Sequence, residues 1–87
     1  MSLMRLIDLL QGEEAVLTGF TEEDDLSMRL RDLGMNDGVV LRVIKYAPLG
    51  DPIQVRLRGF DLSIQKSMAK KIIVQKKAGA KVETGGL

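Results

Sequence analysis

Residues 53–65, IQVRLRGFDLSIQ, alternate apolar and polar side chains, and the alternation changes phase at Gly59. Before the glycine the apolar set is Ile53, Val55 and Leu57; after it the set is Phe60, Leu62 and Ile64. A period of two belongs to a strand with one buried face. A one-residue shift of phase at a glycine is what a tight turn or bulge produces, and it lets two consecutive strands offer their apolar sides to one core. The segment is therefore expected to be a hairpin. Antiparallel pairing then governs the rest, because consecutive parallel strands would need crossover segments that 87 residues do not hold.

The remaining segments fit that frame. Leu3, Leu6, Ile7 and Leu10 recur at helical spacing before Gly12, which predicts a short N-terminal helix or turn. EAVLTGF, residues 14–20, reads as a strand. Thr21 is the expected helix N-cap, with Asp24 three residues on and Leu26, Leu30 and Leu33 forming an i, i+4, i+7 stripe that stops at Gly34. The acids from Glu22 to Asp25 fall where the helix dipole favours them, which accounts for the run without the hard cation it could otherwise hold. Val39–Tyr46 is β-branched-rich and reads as another strand, and Pro48, Gly50, Asp51 and Pro52 then stop any regular ladder and force a reversal. Ser67 is placed to cap one helical turn within SMAKK, before a last short strand at Ile72–Val74.

From Gln75 onward the apolar periodicity is lost. The expected organisation is one domain over residues 1–75 and a flexible, basic, Gly-rich tail over 76–87. The fold class expected is mainly β, with one or two short helices and about five strands in a small antiparallel barrel whose closure removes exposed edges. Its core is expected to contain Leu17, Leu30, Val43, Val55, Leu57, Leu62 and Ile64.

Composition removes most chemistry. The chain has no Cys and no His, so thiolate and imidazole ligands and the commonest general base are missing. PLGDP has one Gly and no Gly-Lys-Ser/Thr, so it is not a phosphate-cradling loop. The five Met are scattered, and carboxylates, amides and carbonyls are a poor ligand set for ferrous iron. No catalytic, cofactor-binding or metal-binding residue is expected. No apolar run approaches the roughly 18 residues of a membrane span, so direct membrane insertion is not expected and the chain reads as cytoplasmic.

Charge is uneven. Residues 1–40 carry three Lys/Arg against nine Asp/Glu, and residues 41–87 carry ten against three. Such a division either makes the molecule dipolar, able to steer an oppositely charged partner, or reflects two solvated faces. A basic set of Arg56, Arg58, Lys66, Lys70, Lys71, Lys76 and Lys77 raises nucleic acid as a partner, but a net charge of +1 and only Phe20, Tyr46 and Phe60 as aromatics count against it.

The segment YAPLGDPI is the candidate interaction element. Tyr46, Pro48, Leu49, Asp51 and Pro52 lie where two prolines limit flexibility, and Met35 at the helix exit could extend the same apolar surface. The alternative is that Leu49 folds back as a plug over the barrel mouth.

RLRDLGM, the strand leading into APLGDPI, and RLRGFDLSIQKSMAKKI, within Arg29–Val74, resemble ferrous iron transport protein A, the FeoA family. With GEEAVLTGF before them, these motifs cover nearly all of the chain except its extreme N-terminus and tail. The resemblance implies an SH3-like barrel, not an enzyme. It also implies an accessory or regulatory role beside FeoB, a membrane ferrous-iron permease with a cytoplasmic GTP-binding domain, to which the chain would be recruited at the inner membrane face. The family is similar to the C-terminal SH3-like domain of iron-dependent repressors, which implies the alternative of an iron-responsive regulatory or nucleic-acid-binding module.

Overall fold

The phase change at Gly59 is a hairpin. In the computed structural model, which describes residues 4–77, strands β4 (Ile53–Leu57) and β5 (Phe60–Ile64) pair with Leu57 opposite Phe60, Val55 opposite Leu62 and Ile53 opposite Ile64. Only Arg58 and Gly59 connect them, at φ 49° and 86°. Two consecutive residues at positive φ are what a type I′ turn demands, and its twist matches that of the flanking strands. On β4 the apolar residues Ile53, Val55 and Leu57 stay buried up to the turn, whereas on β5 burial fades toward it, from buried Ile64 through half-buried Leu62 to Phe60, 38% exposed.

Four further strands complete one antiparallel sheet: β1 (Met4–Arg5), β2 (Glu14–Phe20), β3 (Val40–Tyr46) and β6 (Ile72–Lys76), in the order β1-β6-β2-β3-β4-β5. Register shifts between Leu17 and Gly19 and between Val43 and Lys45 bend β2 and β3 as bulges do. The sheet wraps a single core that includes Leu6, Leu17, Leu41, Val43, Val55 and Ile72. The closure expected from sequence is not reached. Among the described residues no ladder joins β5 to β1, which is two residues long and pairs with β6 through Met4–Val74 and Arg5–Ile73.

The helices depart from the sequence reading at their starts. Helix α1 (Asp25–Asp32) is capped by Asp24, not Thr21: the Asp24 carboxylate accepts from Ser27 N at 2.9 Å, and Ser27 Oγ accepts from Asp24 N at 2.8 Å. Thr21 N instead donates to Lys71 O at 2.8 Å, so Thr21 belongs to the junction of β2 and β6. This cap turns fully buried Ser27 inward and leaves Leu26 and Leu33 about half exposed, with only Leu30 of the stripe packed against the core. Gly34, at φ 111°, ends the helix in the left-handed conformation that glycine tolerates best. Helix α2 (Lys66–Ala69) starts one residue before Ser67, and its free N–H at Lys66 is met by Asp51 Oδ1 at 2.8 Å. Strand β6 runs through Lys76, and Lys77 N still bonds Glu14 O at 3.1 Å. Residues 78–87, the bulk of the expected tail, lie outside the described residues.

The uneven charge of the two halves is largely resolved by this topology. Because β6 lies beside β2, basic residues of the second half meet acids of the first: Lys76–Glu13 at 2.5 Å, Lys77–Glu14 at 3.7 Å and Lys71–Glu22 at 3.5 Å. Several carboxyls are held below their usual range. The Leu10 N–H and then Lys76 lower Glu13, Arg31 lowers Glu23, the Ser27 N–H lowers Asp24, and Arg56 lowers Asp61. A carboxyl with a depressed folded-state pKa stabilises the fold above its unfolded value, here 4.5 for Glu and 3.8 for Asp, and that contribution is lost as pH falls through the lower folded values. The melting temperature is therefore expected to be level from pH 7 to about 5 and to fall increasingly below about pH 4. A melting temperature unchanged down to about pH 3 would contradict this.

Candidate functional site

The loop between β3 and β4 is built as a braced projection. Ala47 N donates to Pro52 O at 3.0 Å and Gly50 N to Ala47 O at 2.7 Å, closing the loop on itself. At one side of its base, half-buried Tyr46 directs its hydroxyl to the Leu9 and Ile7 carbonyls. Burial raises the Tyr46 hydroxyl pKa, and the nearby Asp8 and Glu13 carboxylates add to the shift, so the phenol stays a donor. At the other side, Asp51 is spent on the start of α2. Pro48 and Pro52 are exposed and Leu49 is 94% exposed, so Leu49 projects and does not plug the core.

Met35 is not part of this surface. Its N–H bonds Leu30 O at 3.0 Å and its side chain is fully buried. The turn at Gly34 swings the next residue under α1, and an apolar side chain leaving a helix there meets the core before it meets solvent. Of the six residues singled out from sequence, the structure brings together Tyr46, Pro48, Leu49, Asp51 and Pro52. Two of these five, Tyr46 and Asp51, act as braces and leave Pro48, Leu49 and Pro52 as the presented face.

Two hollows lie elsewhere. One, of about 420 Å³, is lined by Gly12, Glu13, Glu14, Arg42, Lys76 and Lys77, and its lysines and glutamates pair with one another. The other, of about 300 Å³, lies between α1 and the end of the hairpin and is lined by Leu26, Leu30, Ser63, Ile64, Gln65 and Met68. Sequence reasoning missed this second site. The signal available was the Leu26–Leu30–Leu33 stripe, which reads as core-facing until the cap at Asp24 fixes the helix's rotation. The basic set is also thinned, since Arg56 is held by Asp61 at 2.7 Å and Lys71, Lys76 and Lys77 by the acids named above. Among the described residues no three His, Cys, Asp or Glu side chains gather as a metal site.

Residues 4–76 match the family model of the FeoA domain. Over 72 residues the chain is 31% identical to a Porphyromonas gingivalis protein described as an Fe(2+) transport protein A/Fe(2+) transporter FeoB fusion, a match that takes in 83% of this chain and 8% of that protein's length. The solution structure of FeoA from Chlorobium tepidum superposes with a TM-score of 0.83 at 37% identity, over 97% of this chain and 80% of that one. The crystal structure of Stenotrophomonas maltophilia FeoA, complexed with zinc and described as a prokaryotic SH3 domain protein, gives 0.74 at 28% identity, over 83% and 89%. The six-stranded antiparallel sheet with its short helices is the SH3-like arrangement those relatives share. With a family model spanning almost every described residue and a relative above 30% identity over 83% of this chain, the chain belongs to the FeoA domain family.

Proposed function

We propose that the protein is a non-enzymatic accessory component of ferrous iron transport, acting by binding a FeoB-type permease at its cytoplasmic side. The observation that carries this is the Porphyromonas gingivalis relative, in which a segment 31% identical to this chain is fused to a FeoB transporter. Fusion places two modules at high effective concentration, an arrangement that serves modules which contact each other. The architecture suits such a role. A small rigid sheet carries a braced loop with an exposed Leu, and no helix among the described residues is long and apolar enough to cross a membrane.

The test uses the full chain and the detergent-solubilised permease encoded in the same genome. Saturable binding is expected, together with reduced ferrous iron uptake when the gene for this chain is deleted. Absence of binding at about 100 μM, where even a weak contact registers, together with unaltered uptake overturns the proposal. The isolated chain is also expected to show no GTP turnover and no stoichiometric ferrous iron site tighter than about 1 μM, given its ligand inventory. Anaerobic calorimetry that finds such a site would move iron binding onto this chain.

A further inference from the structure

Among the described residues strand β5 ends the sheet, and its outer edge is unpaired. In a hairpin closed by a two-residue turn, the flanking residues Leu57 and Phe60 exchange both hydrogen bonds, and bonded pairs alternate from there. Val55–Leu62 and Ile53–Ile64 are thus bonded pairs, whereas Arg56–Asp61 and Gln54–Ser63 are not. The backbone N–H and C=O of Asp61 and Ser63 therefore point away from β4, to the side where no strand follows. Among the described residues these groups have no backbone partner. The same edge forms one wall of the 300 Å³ hollow, with Ser63 and Ile64 on one side and Leu26 and Leu30 of α1 on the other.

Cations stand at both ends of that groove. Arg58 lies over Gly34 at the end of α1, where a Cβ on Gly34 would come 3.6 Å from Arg58 Cδ. Lys66 directly follows Gln65 at the other end, and its N–H holds Asp51 of the projecting loop. Both residues are exposed, and among the described residues neither side-chain cation is paired with a carboxylate, unlike those of Arg31, Arg56, Lys71 and Lys76. Arg58 also occupies φ 49°, where Asn or Gly would serve the turn better. The residue there is not the one the hairpin alone would favour.

We propose that an extended acidic and apolar segment of the permease docks in this groove as a seventh strand. Its backbone pairs with Asp61 and Ser63, an apolar side chain enters between Leu26, Leu30 and Met68, and carboxylates meet Arg58 and Lys66. An extended segment fits where a helix does not, because a helix satisfies its own backbone and would leave the β5 edge unmatched. The inference rests on the permease being the partner, as proposed above.

Two variants test it against the detergent-solubilised permease. Ser63→Pro removes the outward N–H while leaving the β4–β5 ladder intact, a position that an edge strand tolerates. It is expected to weaken binding tenfold or more with a small change in melting temperature. Arg58→Asn supplies a better turn residue and removes a cation, so it is expected to melt higher and bind several-fold more weakly. This second variant decides the matter should the first fail to fold. Amide exchange at Asp61 and Ser63 is expected to be fast in the free chain and slowed by the permease. Binding unchanged in the folded variants overturns the groove while leaving the permease as partner, and no binding by the unaltered chain overturns both. Slow exchange at these amides accompanied by self-association without permease assigns the edge to a second copy and overturns the proposal.

Discussion

Replacing Met35 by Ala is expected to lower the unfolding free energy by about 2–5 kcal/mol, the range for truncating a buried Met. The side chain is fully enclosed immediately after the helix-ending Gly34, so truncation removes apolar contact and leaves a cavity beneath α1. A domain of this size has roughly 5–15 kcal/mol in total, so the variant loses a large share of its stability. Urea denaturation with an unchanged m-value measures it. Met35→Leu conserves volume and is expected to cost less than about 1.5 kcal/mol while leaving permease binding unaltered. A loss under about 0.5 kcal/mol in the Ala variant would return Met35 to the surface and to the loop.

Leu49→Arg is expected to do the reverse. With Leu49 94% exposed, the substitution should change stability by no more than about 0.5 kcal/mol, as surface changes usually do. Permease binding is expected to fall tenfold or more, because an Arg buried at an apolar contact without a partner is costly to desolvate. The loop is already closed by its own backbone bonds and braced through Tyr46 and Asp51, so little ordering entropy opposes association in the parent. A variant that folds and binds as well as the parent removes the loop from the interface. A variant that unfolds would show Leu49 to be part of the core.

What could be read from the sequence was set by patterns that local physics completes without help. The phase flip at Gly59 required a tight turn, and the two-residue connection at Arg58 and Gly59 supplies it. The strands Glu14–Phe20 and Val40–Tyr46 follow from β-branched runs bounded by turn residues. Where several local solutions compete, tertiary structure chose among them. Thr21 and Asp24 both suit a helix cap, and Thr21 was taken by Lys71, in the turn before β6, fifty residues away. Ser67 could cap α2, but Asp51 reached it first from the loop. Asp51 thus reads as a turn residue on a binding loop and is in the structure a brace. The groove beside β5 was illegible because it depends on the rotation of α1 about its axis, which three leucines and a buried serine leave undetermined until the cap is known.

Strand β6 is last in sequence of the described strands but stands between β1 and β2 in the sheet. On a ribosome, which delivers roughly 5–20 residues each second, β2, β3, β4 and β5 can pair as they emerge, since each strand follows its neighbour. Strand β1 cannot do so. Until Ile72–Lys76 is synthesised, β1 has no partner at all, β2 has one instead of two, and the core lacks Ile72 and Val74. The nascent protein is therefore an incomplete sheet of β2 to β5 with an open apolar side, dependent on β6 to become a fold. Premature termination anywhere before residue 72 gives a substrate for quality control, not a shortened protein with partial activity.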